Sequence, residues 1–202
     1  MNYRFAVLLA ASLVTLTAAT GVTPAKPAAA TLLPNGPEPA YTADGKLELP
    51  GNYREWTFLS SGLDMSYSEK ADMQDHSMFD NIFVDPVSYR EYLETGTWRN
   101  KTQLVMEMRG AAEKGSINQH GRFQTGDTMG IEVHVKDTGR FPGGWGFFAF
   151  RGADPAQQIP TSAGCYSCHQ QHGAVDTTFV QFYPTLLKIA KEKKTASPNY
   201  RP

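Results

Sequence analysis

Both cysteines of this 202-residue chain fall within one pentapeptide, Cys165-Tyr166-Ser167-Cys168-His169, and any fold the chain adopts must leave room beside it. The C-x-x-C-H string marks covalent attachment of a c-type haem. On a helix, positions three apart share a face, so both thiols can add to the two vinyl edges of one porphyrin while His169 reaches the iron. An imidazole in that role needs an acceptor for its other ring nitrogen, which fixes its orientation. The spacing predicts one covalent haem per chain, held by Cys165 and Cys168, with His169 as the metal ligand.

Three other chemistries fit the same residues less well. A redox dithiol belongs in a βαβ context, and no such pattern surrounds Cys165. Zinc needs two further ligands, and recruiting His172 crowds four donors into eight residues with two of them adjacent. A disulfide across two residues is strained and closes almost no loop. His172 cannot supply a trans axial ligand from the same helical turn and is expected at the surface. No methionine follows Cys165. Met65, Met73, Met78, Met106, Met108 and Met129 lie upstream and could ligate, but methionine more often fills a core. The second axial position is therefore expected to be open.

The extreme N-terminus reads as a targeting signal. Arg4 supplies a positive start, Phe5 to Ala19 a short apolar run, and Ala28-Ala29-Ala30 a small-residue cleavage site before Thr31. The alternative, an uncleaved anchor, asks for a longer apolar stretch. Export to the periplasm is expected. Lys and Arg number 19 against 20 Asp and Glu, a net charge of -1, so nothing favours a nucleic-acid partner. Losing Arg4 and Lys26 with the leader would make the balance mildly acidic. A mean hydropathy of -0.40 and the lack of an apolar run of eighteen residues argue against a membrane span.

The 18 Gly and 13 Pro interrupt the chain too often for a long-helix bundle, while 41% hydrophobic residues suffice for one core. The predicted class is α+β, a mainly antiparallel β-sheet domain with short helices and the haem on a C-terminal helical segment. Residues 1–30 are the signal, 31–50 a proline-rich arm, 51–190 the haem domain and 191–202 a flexible tail. Strands are predicted at Tyr53 to Leu59, Ser77 to Val84, Thr102 to Met108, Thr128 to Lys136 and Trp145 to Phe150. Asp85 as N-cap, Pro86 at the first helical position and Gly96 as stop predict a helix from Pro86 to Thr95. A helix from Ser162 to Gln171 carries the haem motif. Another follows Asp176, with Pro184 restarting or kinking it, and the lysine-rich tail from Lys188 is expected to fray.

From Gly45 to Ala190 the chain resembles the cytochrome P-460 family, exported mono-haem proteins that include hydroxylamine-oxidising enzymes. The likeness rests on Leu49-Pro50 with Asn52-Tyr53-Arg54-Glu55-Trp56, Val84-Asp85-Pro86 with Tyr89, and Thr95-Gly96 with Trp98-Arg99. It continues in Gly126-Asp127, Gly130 and Val135-Lys136-Asp137. The most specific part is the C-x-x-C-H segment followed by Asp176, Phe179 and Phe182-Tyr183-Pro184. The resemblance implies a homodimer of β-rich subunits and a five-coordinate iron whose distal side accepts a small nitrogen ligand. In the family's enzymes a lysine is bonded to the porphyrin edge. Its place in the strand after Trp98-Arg99 falls on Met106, and Lys101, on the opposite strand face, is a poor substitute.

Two functional classes stay open. One is a redox enzyme acting on hydroxylamine or nitric oxide, with Glu132 as the catalytic distal carboxylate. Glu132 lies on the polar side of an alternating strand with His134, where solvated side chains are equally expected. The other is a haem protein without catalysis. It would be either a binder of nitric oxide or carbon monoxide, like the related β-rich cytochromes c-prime, or an electron carrier with a methionine sixth ligand and a soluble redox partner. Met106 would lie against the cofactor in any of these.

Overall fold

A computed structural model describes residues 36–67, 77–198 and Tyr200. All of them belong to the second of two contact units, Leu33–Pro202; the leader and Met73 lie outside the described residues. The strands are β1 (Thr57–Leu63), β2 (Met78–Val84), β3 (Gln103–Ala112), β4 (Phe123–Lys136) and β5 (Trp145–Phe150). They form one antiparallel five-stranded sheet whose strands lie side by side in sequence order, with α1 in the connection from β2 to β3. The helices are α1 (Pro86–Thr95), α2 (Gly164–His172) and α3 (Pro184–Lys193). The expected α+β architecture is the one observed.

Both faces of the sheet are covered. On one, Leu104, Trp145 and Phe147 pack against Tyr92 of α1, Leu186 and Ala190 of α3 and the turn at Ala174-Val175. On the other, Val105, Ile131, Val133, Val135, Phe148 and Phe150 meet Leu47, Tyr53, Trp56 and Phe141. Residues 36–50 belong to this second layer. Leu47 is fully buried and bridges to Tyr41 and Ala156, and Gln103 donates to the Pro37 carbonyl at 2.7 Å. The alternation Leu104/Val105/Met106 therefore separates two interiors rather than a core from solvent.

Two expectations need correction. Tyr53 to Glu55 is a 3₁₀ turn and the first strand begins only at Thr57. The turn lets the Tyr53 hydroxyl and the Arg54 guanidinium (2.9 Å) both reach the buried Glu107 carboxylate of β3, which Arg109 also pairs. A buried carboxylate demands such partners, and that demand outweighs local strand propensity. The tail from Lys188 does not fray where expected, because α3 runs to Lys193 with Leu186 and Ala190 fully buried. Beyond it, Ala196 and Tyr200 pack on the core.

Helix α1 forms as its end signals require. The Asp85 side chain accepts from the Ser88 amide at 2.8 Å and also from the Gln103 amide at 3.1 Å, tying the helix start to β3. Gly96 ends it at φ 75°, its amide donating to the Tyr92 carbonyl at 2.7 Å. A methyl group at Gly96 would stand 2.8 Å from both the Lys193 Cβ and the Thr195 Oγ1. Gly96→Ala therefore combines left-handed strain with overpacking, about 2 kcal/mol, and should lower the thermal midpoint by roughly 4–8 °C. Gly51→Ala, with no atom near its new methyl, should leave the midpoint where it is.

Candidate functional site

Between the helical layer and the sheet lies a cavity of about 550 Å³, within the range of roughly 300–1,000 Å³ typical of cofactor and ligand sites. Period-two alternation sets its sheet wall: Asp80 and Ile82 from β2, Met106 and Met108 from β3, Glu132 and His134 from β4. The register makes this a grid, with Ile82, Met106 and Glu132 in one row and Asp80, Met108 and Gly130 in the next. Opposite stand Cys165, Cys168 and His169 of α2, with Phe179, Phe182 and Tyr183 beyond them. The structure thus brings Met106, Glu132, Cys165, Cys168 and His169 to one cavity, while His172 faces solvent.

Both thiols are free and half-buried, one helical turn apart with His169 beside them. The His169 Nδ1 lies 2.7 Å from the Thr177 carbonyl oxygen, which can only accept, so Nδ1 carries the proton and Nε2 keeps a lone pair. Burial holds the imidazole below its ordinary pKa, opposed by the bond to Thr177. The ring stacks on Phe179 at 4.1 Å between centroids and meets His134 edge-on at 4.9 Å. His134 stacks in turn on Phe147 (3.9 Å), and Phe147 on Tyr166 (4.2 Å), whose hydroxyl accepts from the Phe147 amide. The imidazole plane is thus fixed by stacking on one side and by a hydrogen bond at its edge. A ligand set of Cys165, Cys168 and His169 could hold a planar cofactor against the sheet wall.

The polar side of β4 is not the solvated face its sequence allowed. At Glu132 and His134 it lines the cavity opposite α2, aromatic contacts enclose His134, and burial with the neighbouring His169 keeps that imidazole well below its ordinary pKa. Burial, and then the Asp80 charge, pushes the Glu132 carboxyl up. Asp80 is raised likewise, by burial and then by Asp64. The sequence reading passed over Asp80, although its place two residues from Ile82 and four from Val84 puts an acid on an otherwise apolar face. Lys101 is in the turn before β3, at φ 72°, with its ammonium on Asp137. Among the described lining residues there is no lysine or arginine.

A raised carboxyl stays protonated in the folded chain over a pH range where the unfolded chain has released its proton. Stability therefore falls as pH rises from the ordinary carboxylate range through the raised value. Glu132→Gln removes that loss. The apoprotein variant should melt above wild type at pH 7, with the difference closing near pH 4, about where a free glutamate titrates. Thermal melts at the two pH values check this.

A model of the cytochrome P460 family matches residues 50–180, a span running from the 3₁₀ turn through all five strands, α1, α2 and the turn after it. No curated protein matches the chain. No helix among the described residues is long and apolar enough to cross a membrane. With well over half of its length matched, the chain belongs to the cytochrome P460 family, and that membership implies a haem cofactor.

Proposed function

We propose that this is an exported, periplasmic mono-haem c-type protein that binds a small neutral nitrogen ligand, nitric oxide foremost. In this reading Cys165 and Cys168 tether one haem by thioether bonds, His169 is the protein ligand of the iron, and the opposite axial side is open. The observation that carries it is the hydrogen bond at His169: with Nδ1 committed to Thr177, Nε2 is left as a free donor at a cavity wall shared with both thiols. Two thiols and one neutral imidazole beside an aliphatic and thioether wall fit such a group. When bound, it supplies reversible diatomic binding and one-electron chemistry.

The chain's own residues account for selectivity. Ile82, Met106 and Met108 make the sheet wall apolar. Glu132 and Asp80, kept protonated over a wider pH range by burial, can donate a hydrogen bond or a proton from the carboxyl oxygen to a nitrogen ligand. Among the described lining residues there is no cation to balance an anion, and either acid would repel one once ionised. Nitric oxide, carbon monoxide and hydroxylamine are neutral and escape that cost. Hydroxylamine turnover is disfavoured, because the lysine that the family resemblance calls for is replaced by Met106, which lacks a nucleophilic amine. By the same resemblance the protein is a homodimer, and a soluble redox partner would serve any electron exchange.

A second reading, an electron carrier with a methionine sixth ligand, is favoured by one feature: Met65, Met78, Met106 and Met108 all line the cavity. Three measurements separate the readings. Denaturing mass spectrometry should find one haem retained on each chain, and its loss would remove the c-type assignment. Nitric oxide and carbon monoxide should bind the ferrous protein at once, whereas an iron that resists both and shows a methionine charge-transfer band would establish the carrier. In Met106→Lys, peroxide should attach a third peptide to the haem, with none attached in wild type. A third haem-bound peptide in wild type, with sustained hydroxylamine oxidation, would establish the enzyme instead.

A further inference from the structure

The acceptor that orients His169 is a backbone carbonyl in the turn 174–178, outside α2. A peptide in a turn points where its neighbours hold it. The turn closes on itself through Ala174 N to Thr178 O and Thr178 N to Val175 O, both 2.9 Å, with Asp176 at φ 52°. It is held from outside on both sides of Thr177. On one side, the Asp176 carboxylate pairs with the Lys136 ammonium at 2.8 Å, and that ammonium also donates to the Trp98 carbonyl at 2.7 Å. On the other, the buried Trp98 indole N–H donates to the Thr178 hydroxyl at 2.8 Å, which donates onward to the Val175 carbonyl at 2.7 Å. Trp98 lies in the loop after α1 and Lys136 ends β4, so two distant segments meet at the peptides flanking one acceptor.

We infer that Lys136 and Trp98 are positioning residues for His169. They hold the Thr177 carbonyl in line with Nδ1–H and so set how electron-rich Nε2 is and which way the ring faces. A firmly accepted Nδ1 proton makes the imidazole a stronger donor through Nε2; a slack acceptor makes it a weaker one. In the Lys136–Asp176 pair the ammonium is the shielded partner, at 17% exposure, while Asp176 reaches it from the surface at 31%. The inference rests on His169 being the protein ligand of the iron.

The test uses the haem-loaded protein. Resonance Raman of the ferrous form should show an iron–histidine stretching band, and redox titration gives the midpoint potential. In Lys136→Met and Trp98→Phe the band should move to lower frequency, the midpoint should rise, and a larger fraction of the nitric oxide complex should be five-coordinate. Lys136→Arg, which keeps the charge, should hold the wild-type values. Asp176→Asn, which suits the left-handed backbone and loses only the ion pair, gives the same reading should the larger changes fail to fold. If wild type shows the band and every folded variant leaves band and midpoint unmoved, the clamp is structural only and the inference is overturned while His169 ligation stands. If wild type has no such band, the ligand assignment falls and takes the inference with it.

Discussion

The hydrogen bond between His169 Nδ1 and the Thr177 carbonyl is the contact on which the site depends. A free imidazole on a half-exposed helical turn could rotate and offer either nitrogen. Here one nitrogen is spoken for and the ring is stacked on Phe179, so only Nε2 remains. The rest of the helical layer can be understood from that requirement. Trp98 and Lys136 hold the turn that presents the carbonyl, and Gly96 lets the C-terminal segment close over the end of α1, where Thr195 donates to its carbonyl at 2.6 Å. The aromatic series Tyr166, Phe147 and His134 fills the space between α2 and the sheet.

On the other side of the cavity the sheet supplies chemistry of a different kind. Its wall is built of thioether and aliphatic groups interrupted by Asp80 and Glu132, two acids that burial makes reluctant to ionise. Such a wall is largely apolar, can offer protons and, among the described residues, gives no basic counter-charge. Among the described lining residues it offers no primary amine, and the proposed neutral ligand fits such a wall. The sheet can carry buried polar groups here because its other face is anchored separately, through Glu107 with Tyr53, Arg54 and Arg109. That anchor gives a structural reason for part of the family-like string at residues 52–56.

How much of this could be read from the residues differs by element. Helix α1 and strand β5 have the predicted bounds because Asp85, Pro86, Gly96 and the Gly143-Gly144 turn are local signals that need no tertiary context. Cys165, Cys168 and His169 stand out by spacing alone, and the fold brings all three to one cavity. Periodicity told which residues of β4 share a face, but not whether water or α2 covers it, so Glu132 and His134 looked as much solvated as functional. Asp80 went unnoticed for the same reason. Tyr53 to Glu55 turned out helical because Glu107, more than fifty residues away, needed their side chains. The acceptor at Thr177 is a main-chain atom, and no side-chain pattern can announce it.

The proposed function requires that His169 alone ligate the iron and leave room opposite for a small ligand. Electron paramagnetic resonance of the ferric protein tests it most directly, since spin state follows axial ligation. With one protein ligand the ferric iron should give an axial high-spin signal that persists on freezing and converts to low spin only when an external ligand is added. A rhombic low-spin signal in the untreated protein would show a second side chain on the iron and contradict it.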